Sequence, residues 1–200
     1  MCETIIATPE IVSLVCIGPL PNIAAALARE PDLTTSARFI GMHGSLRRGY
    51  MGMDKPMREY NVKQHALACQ AVFKAKWEKT ITPLDTCGTV MLQGERFARI
   101  KDSDKPLTKA VMDNHTGWFE AVKEWPMLKD LDAQVQSSVL YDCVAIYLAF
   151  SRAHLQRETL PISVTKDGTT LIDEAGEETQ CATDWLDKEA FLELLTERLV

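Results

Sequence analysis

The residues best suited to chemistry fall in four short stretches. "GPLPN" (18–22) closes an apolar run with a rigid turn, and "MHGSLRRGYMGMDKPMREYN" (42–61) carries His43, Asp54, Arg58, Glu59 and Asn61. "PLDTCG" (83–88) contributes Asp85, and "LYDCVAIYLAF" (140–150) sets Asp142 directly before eight apolar residues. An acid in that position either caps a helix or holds a ligand in a dry pocket, and the pattern alone favours the cap. Taken singly, Glu59 reads as a solvated loop carboxylate, Asn61 as a helix cap and His43 as a loop histidine.

The elements that must position these residues alternate between strand and helix. Residues 11–17 form a continuous apolar, β-branched run, the pattern of a strand covered on both faces and flanked on both sides in a parallel sheet. An Ala-rich helix over 22–29 follows, then a strand over 37–41 and a long loop with Gly44, Gly49, Gly52 and Pro56. Long irregular loops in compact folds are more often functional than not. A helix is expected over 63–76, a strand over 79–84, and helices over 90–100, 107–123 and 138–154. Asp167-Gly168 signals a hairpin between 160–165 and 170–173, and 186–199 is a closing amphipathic helix. The pattern predicts an α/β fold, mostly parallel sheet flanked by helices, with a small C-terminal hairpin and an incomplete sheet at the N-terminal side. Residues 1–200 are read as a single domain. In such sheets ligands bind beyond the carboxyl ends of the strands, where three of the four stretches fall.

Composition narrows the function classes. The 200 residues are 46% hydrophobic and carry a net charge of −6, with no basic run, which argues against a nucleic-acid surface. The apolar stretches are too short to span a bilayer. The six cysteines are scattered without a C-x-x-C pair, the usage of free, reduced thiols. With no signal-peptide pattern at the N-terminus, the chain is expected to be cytoplasmic.

"LVCIGPLPNIAAAL" resembles the strand-turn-helix of the inosine–uridine-preferring nucleoside hydrolases, whose usual form is G-P-L-T-N. "FIGMHGS" is similar to that family's M-G-G segment, and "REYNVKQHALACQAVF" to its E-[FY]-N segment and following helix. "LYDCVAIYLAF" falls where the family has His-Asp and an apolar helix. The four agree in order and spacing, so the resemblance runs from about residue 3 to 200. It implies a Rossmann-like fold and cleavage of the N-glycosidic bond of ribonucleosides by a calcium-bound water. It also places Asp142 and the Pro21 carbonyl on calcium, Glu59 and Asn61 on the ribose hydroxyls, and Met42 beside the sugar. The implied substrate is a ribonucleoside, and homo-oligomers are common in the family.

The chain also departs from the family pattern. No D-x-D-x-x-x-D-D cluster, source of most calcium ligands and of the general base, occurs in it. Tyr141 stands at the usual histidine position, where it could give up a proton only with a strongly lowered pKa. His43 replaces a glycine, His65 an aspartate, and the segment around Met53 lacks the expected asparagine. The catalytic residues are therefore unassigned, and His115 and Trp118 are the alternative candidates for assisting the leaving base. The expectation is the C-terminal two-thirds or so of a nucleoside hydrolase, weak or inactive alone. The alternatives are a non-catalytic ribose- or nucleoside-binding module and a remnant that associates with full-length subunits.

Overall fold

A computed structural model describes residues 1–125 and 128–200. Two compact units divide the chain: residues 1–89 with 141–186, and residues 90–140 with 187–200.

The first unit is built on a six-stranded sheet in the order β1-β2-β3-β6-β4-β5. Strands β1 (Val12–Cys16), β2 (Ala37–Met42) and β3 (Lys79–Thr82) run parallel. β6 (Glu177–Trp185) is parallel to β3 and antiparallel to β4 (Leu155–Val164), which pairs antiparallel with β5 (Thr170–Ile172). The expected mostly parallel sheet and the Asp-Gly hairpin are both present. The hairpin itself pairs only Ile162–Val164 with Thr170–Ile172, but β4 is ten residues long and β6 inserts between it and β3. Nothing in the pattern pointed to β6, whose sequence EETQCATDW lacks an apolar, β-branched run. β1 also differs from expectation. It pairs with β2 alone, among the described residues, and most of it is only half-buried.

Parallel register aligns Cys16 with Gly41 and Met42 with Thr82, so the segments after β1, β2 and β3 leave from one end of the sheet. Helices α1 (Cys2–Ala7), α2 (Pro21–Arg29) and α3 (Leu33–Ser36) lie around the first two strands. Pro21 occupies the first position of α2, where its missing N–H loses nothing. The expected helix over 63–76 is two: α4 (Tyr60–Gln64) and α5 (Ala66–Lys74), broken at His65 with φ −143° and ψ 62°. α2 and α5 cover a core of Leu20, Ile23, Phe39, Val72, Phe73, Trp77 and Ile81, with Phe39 stacked 5.4 Å from Trp77. A short α6 (Leu84–Cys87) follows β3.

In the second unit, α7 (Gly94–Lys101) packs with α8 (Pro106–Val122) and with the last helix, and residues near Gln93 and Gln136 make an antiparallel bridge. In the first unit, α9 (Tyr141–Leu148) packs on β1, β2 and β3; it is shorter than the expected 138–154. α10 (Lys188–Leu199) belongs to the second unit and binds α7 through Arg96, which meets Glu189 at 2.7 Å and Glu193 at 3.2 Å. No helix among the described residues is long and apolar enough to cross a membrane. All six thiols are free.

Candidate functional site

The loop leaving β2 starts with a buried strut. His43 is 0% exposed, and its Nε2 lies 3.0 Å from the Gly18 carbonyl. A carbonyl only accepts, so Nε2 carries the hydrogen, and Nδ1 is left buried without a partner among the described residues. Burial lowers the ring's pKa from 6.5 to about 4, which keeps it neutral. The imidazole thus ties the end of β2 to the turn after β1. Gly41 makes room for it: a Cβ there would sit 2.5 Å from His43 Nδ1.

Beyond His43, two buried carboxylates fasten the loop. Asp85, 1% exposed, accepts from the N–H groups of Leu46 at 2.9 Å, Arg47 at 2.8 Å and Arg48 at 3.3 Å. Glu59 caps α4: Oε1 accepts from Asn61 N at 2.7 Å, and Oε2 from Val62 N at 3.1 Å and Gly44 N at 3.2 Å. It is 2% exposed, not the solvated carboxylate its loop suggested, and the cap is Glu59 rather than Asn61. Burial lifts its pKa from 4.5 to about 7 against the pull of those three N–H groups, and the Asp142 charge adds to the rise.

Asn61 ties the loop to the strand ends. Its Nδ2 donates to the Met42 carbonyl at 3.0 Å and weakly to the Ile17 carbonyl at 3.4 Å, with the Met42 sulfur also at 3.4 Å. Oδ1 is left as an acceptor with no donor among the described residues. Met42, Glu59 and Asn61 are therefore in mutual reach at the carboxyl ends of β1 and β2.

Asp142 lies one residue inside the start of α9, so it is not the helix cap that the pattern favoured. An acid in a first turn is favoured by the helix dipole, while burial raises its pKa. Tyr141 beside it has its pKa raised by burial, the opposite of what an acid catalyst at neutral pH requires. Its hydroxyl is a hydrogen-bond donor. The Tyr141 ring meets Tyr50 edge to face, 6.0 Å between centroids and 85° between planes. Tyr50 also accepts a hydrogen bond from Tyr60 N at 2.7 Å, and it is not among the residues that the motifs single out. Its only sequence signal is an aromatic residue between Gly49 and Gly52 in the long loop.

His115 and Trp118 lie on α8 in the second unit. His115 Nε2 is 2.9 Å from the Ala133 carbonyl, and its ring packs 4.7 Å from Phe119 and 5.3 Å from Phe97. Trp118 meets Phe119 edge to face.

A calcium ion needs roughly 6–8 oxygens. The implied donors are one carboxylate, Asp142, and the carbonyl of Pro21, which as the first helical residue already faces an N–H four residues on. No group of three or more His, Cys, Asp or Glu among the described residues could hold a metal. The residues present do not fit a calcium shell. What the site offers is three oxygen acceptors (Glu59, Asn61 Oδ1, Asp142), with Tyr50 and Tyr141 near enough for the Glu59 charge to act on both phenols.

The family model described as inosine-uridine preferring nucleoside hydrolase matches residues 1–193. The chain is 33% identical over 102 residues to the pyrimidine-specific ribonucleoside hydrolase RihA of Shewanella woodyi, covering 51% of this chain and 32% of that one. It is 26% identical over 175 residues to an uncharacterised protein of Schizosaccharomyces pombe, covering 86% and 50%. Among solved structures, the plant nucleoside hydrolase PpNRh1 superposes with a TM-score of 0.83 at 19% identity, covering 99% of this chain and 64% of that one. The purine-preferring ribonucleoside hydrolase from Gardnerella vaginalis gives 0.81 at 20% identity, covering 99% and 63%; at these identities the likeness is one of fold. The chain thus spans a third to a half of these curated relatives and under two-thirds of the solved chains. With four motifs in order and a family match over nearly its whole length, the chain belongs to the inosine–uridine-preferring nucleoside hydrolase family.

Proposed function

We propose that this chain binds ribonucleosides through the ribose, at the carboxyl ends of β1, β2 and β3. The single observation that carries this is the seating of Asn61. With Nδ2 fixed on the Met42 and Ile17 carbonyls, its Oδ1 joins the buried Glu59 as a fixed pair of acceptors for sugar hydroxyls. Met42 packs beside that pair. Related proteins are named for pyrimidine and for purine substrates, which leaves the ribonucleoside as the shared class.

The reaction of this site, in a full-length relative, is hydrolysis of the N-glycosidic bond to base and ribose. Its transition state is oxocarbenium-like, so oxygen atoms and negative charge around the ribose favour it. Oε2 of Glu59 already accepts two backbone N–H groups and Oε1 one, which leaves a single lone pair for a sugar hydroxyl, and the D-x-D-x-x-x-D-D cluster that would supply a base and metal ligands is absent from the sequence. These 200 residues alone therefore bind calcium weakly and turn nucleosides over poorly or not at all. Calorimetric titration with inosine and uridine, beside an assay for released ribose with calcium and with chelator, tests this. Binding without calcium-dependent release is expected. Calcium-dependent release abolished by Asp142→Asn would refute the inactive reading, and no binding of either nucleoside would refute the ribose site.

One observation favours a second reading, a remnant that assembles with longer copies. Among the described residues β1 has a partner on one side only, and it is flanked by Ile11 and Ile17, 60% and 43% exposed. Size-exclusion chromatography separates a monomer from that outcome.

A further inference from the structure

The long loop between β2 and α4 holds one side chain that neither the family pattern nor the ribose site accounts for. Tyr50 sits in a one-turn 3-10 segment whose next residue, Met51, has φ 54°, a left-handed conformation uncommon outside glycine. Neighbouring chain packs closely on both sides. A Cβ on Gly49 would fall 2.6 Å from the Lys55 carbonyl oxygen, and one on Gly52 would fall 3.2 Å from Thr89. The phenol is fixed at both ends as well. Its ring stands edge to face with Tyr141, and its oxygen accepts the Tyr60 N–H.

That second contact sets the register. The first three N–H groups of α4 have no partner within the helix. Tyr60 N goes to Tyr50, while Asn61 N and Val62 N go to Glu59. The Tyr50 oxygen and the Glu59 carboxylate therefore sit at one helix end, with Asn61 in the same turn. Because its oxygen accepts there, the hydroxyl hydrogen of Tyr50 is left to donate, and no acceptor for it lies among the described residues. Burial, aided by the Glu59 charge, raises its pKa from 10 to about 12, so the hydrogen is retained at neutral pH.

We propose that Tyr50 is a nucleobase contact: its hydroxyl donates to an oxygen or nitrogen of the base, and its ring forms with Tyr141 a corner against which the base lies. This rests on the ribose site proposed above, since a ribose on Glu59 and Asn61 directs its anomeric substituent toward one side of that helix end. The corner is where a planar, acceptor-bearing ligand gains both an aromatic surface and a fixed donor.

Tyr50→Phe keeps the ring and removes the donor. Tyr60 is exposed, so water replaces the lost bond to its N–H and the fold survives. The wild-type chain and the variant are each titrated with inosine and with free ribose, and their thermal unfolding is compared. The variant should bind inosine about three- to tenfold more weakly, the worth of one neutral hydrogen bond, with ribose affinity unchanged. An unchanged inosine affinity overturns the proposal. So does an equal loss for both ligands, which would make Tyr50 only a cap for α4. A wild-type chain that fails to bind inosine at all overturns the ribose site, and this inference with it.

Discussion

Glu59 gives the most direct physical test of the site. It holds its proton up to about pH 7 in the folded chain, against an ordinary value of 4.5. Between those two values the folded state binds more protons than the unfolded one, so stability falls as pH rises from 4.5 through about 7 and levels off above. At 1.36 kcal/mol for each tenfold change in proton affinity, the full swing is about 3 kcal/mol. The residue is almost completely buried, so little solvent screening reduces this. Glu59→Gln removes the titration and leaves a group resembling the protonated acid. Urea unfolding of the two chains at pH 5 and pH 8 isolates the effect from other titrating groups. Relative to the variant, wild type should lose about 2.5 kcal/mol across that interval, equivalent to roughly 5–10 °C in melting temperature for a chain of this size. Parallel pH curves for the two would refute the claim that burial outweighs the three N–H bonds on this carboxylate.

Three further substitutions probe the scaffold beneath the site. His43→Phe keeps an aromatic ring but leaves the Gly18 carbonyl unmet, and should cost about 1–2 kcal/mol at pH 7.5 by denaturant titration. Wild-type His43 must take up a proton to unfold between pH 6.5 and about 4, which lowers stability as pH falls, and the variant should lack that acid limb. Asp85→Asn leaves at least one of the Leu46, Arg47 and Arg48 N–H groups without an acceptor. A loss of about 1–3 kcal/mol and faster protease cleavage within 44–58 are expected, and unchanged cleavage would count against Asp85 as the anchor of this loop. Gly168→Ala forces a side chain onto φ 83° with its Cβ 2.6 Å from Lys63 Cα, so thermal unfolding should show a loss of at least about 1–3 kcal/mol.

Much of the frame was legible in the residues themselves. The apolar runs ending at Cys16 and Met42 and the Asp-Gly turn report local preferences, and those preferences survive folding. The four motifs in order carried the family. What could not be read locally depends on neighbours distant in sequence. β6 is a central strand because β3 and β4 clamp it from both sides, and its buried face is made of Thr179, Cys181 and Thr183, which no apolar pattern announces. Glu59 looks solvated in sequence, and only the return of Gly44 and the start of α4 bury it and raise its pKa. His43 becomes a strut because parallel register brings the end of β2 against the Gly18 turn. Tyr50 gains its meaning from Tyr60 and Tyr141, ten and ninety-one positions away. Sequence determined most of the elements and the family, and named the residues proposed to meet a ribose. Tertiary structure decided which carboxylates are dry and which hydroxyl is aimed, because burial and hydrogen-bond geometry arise only when separate segments meet.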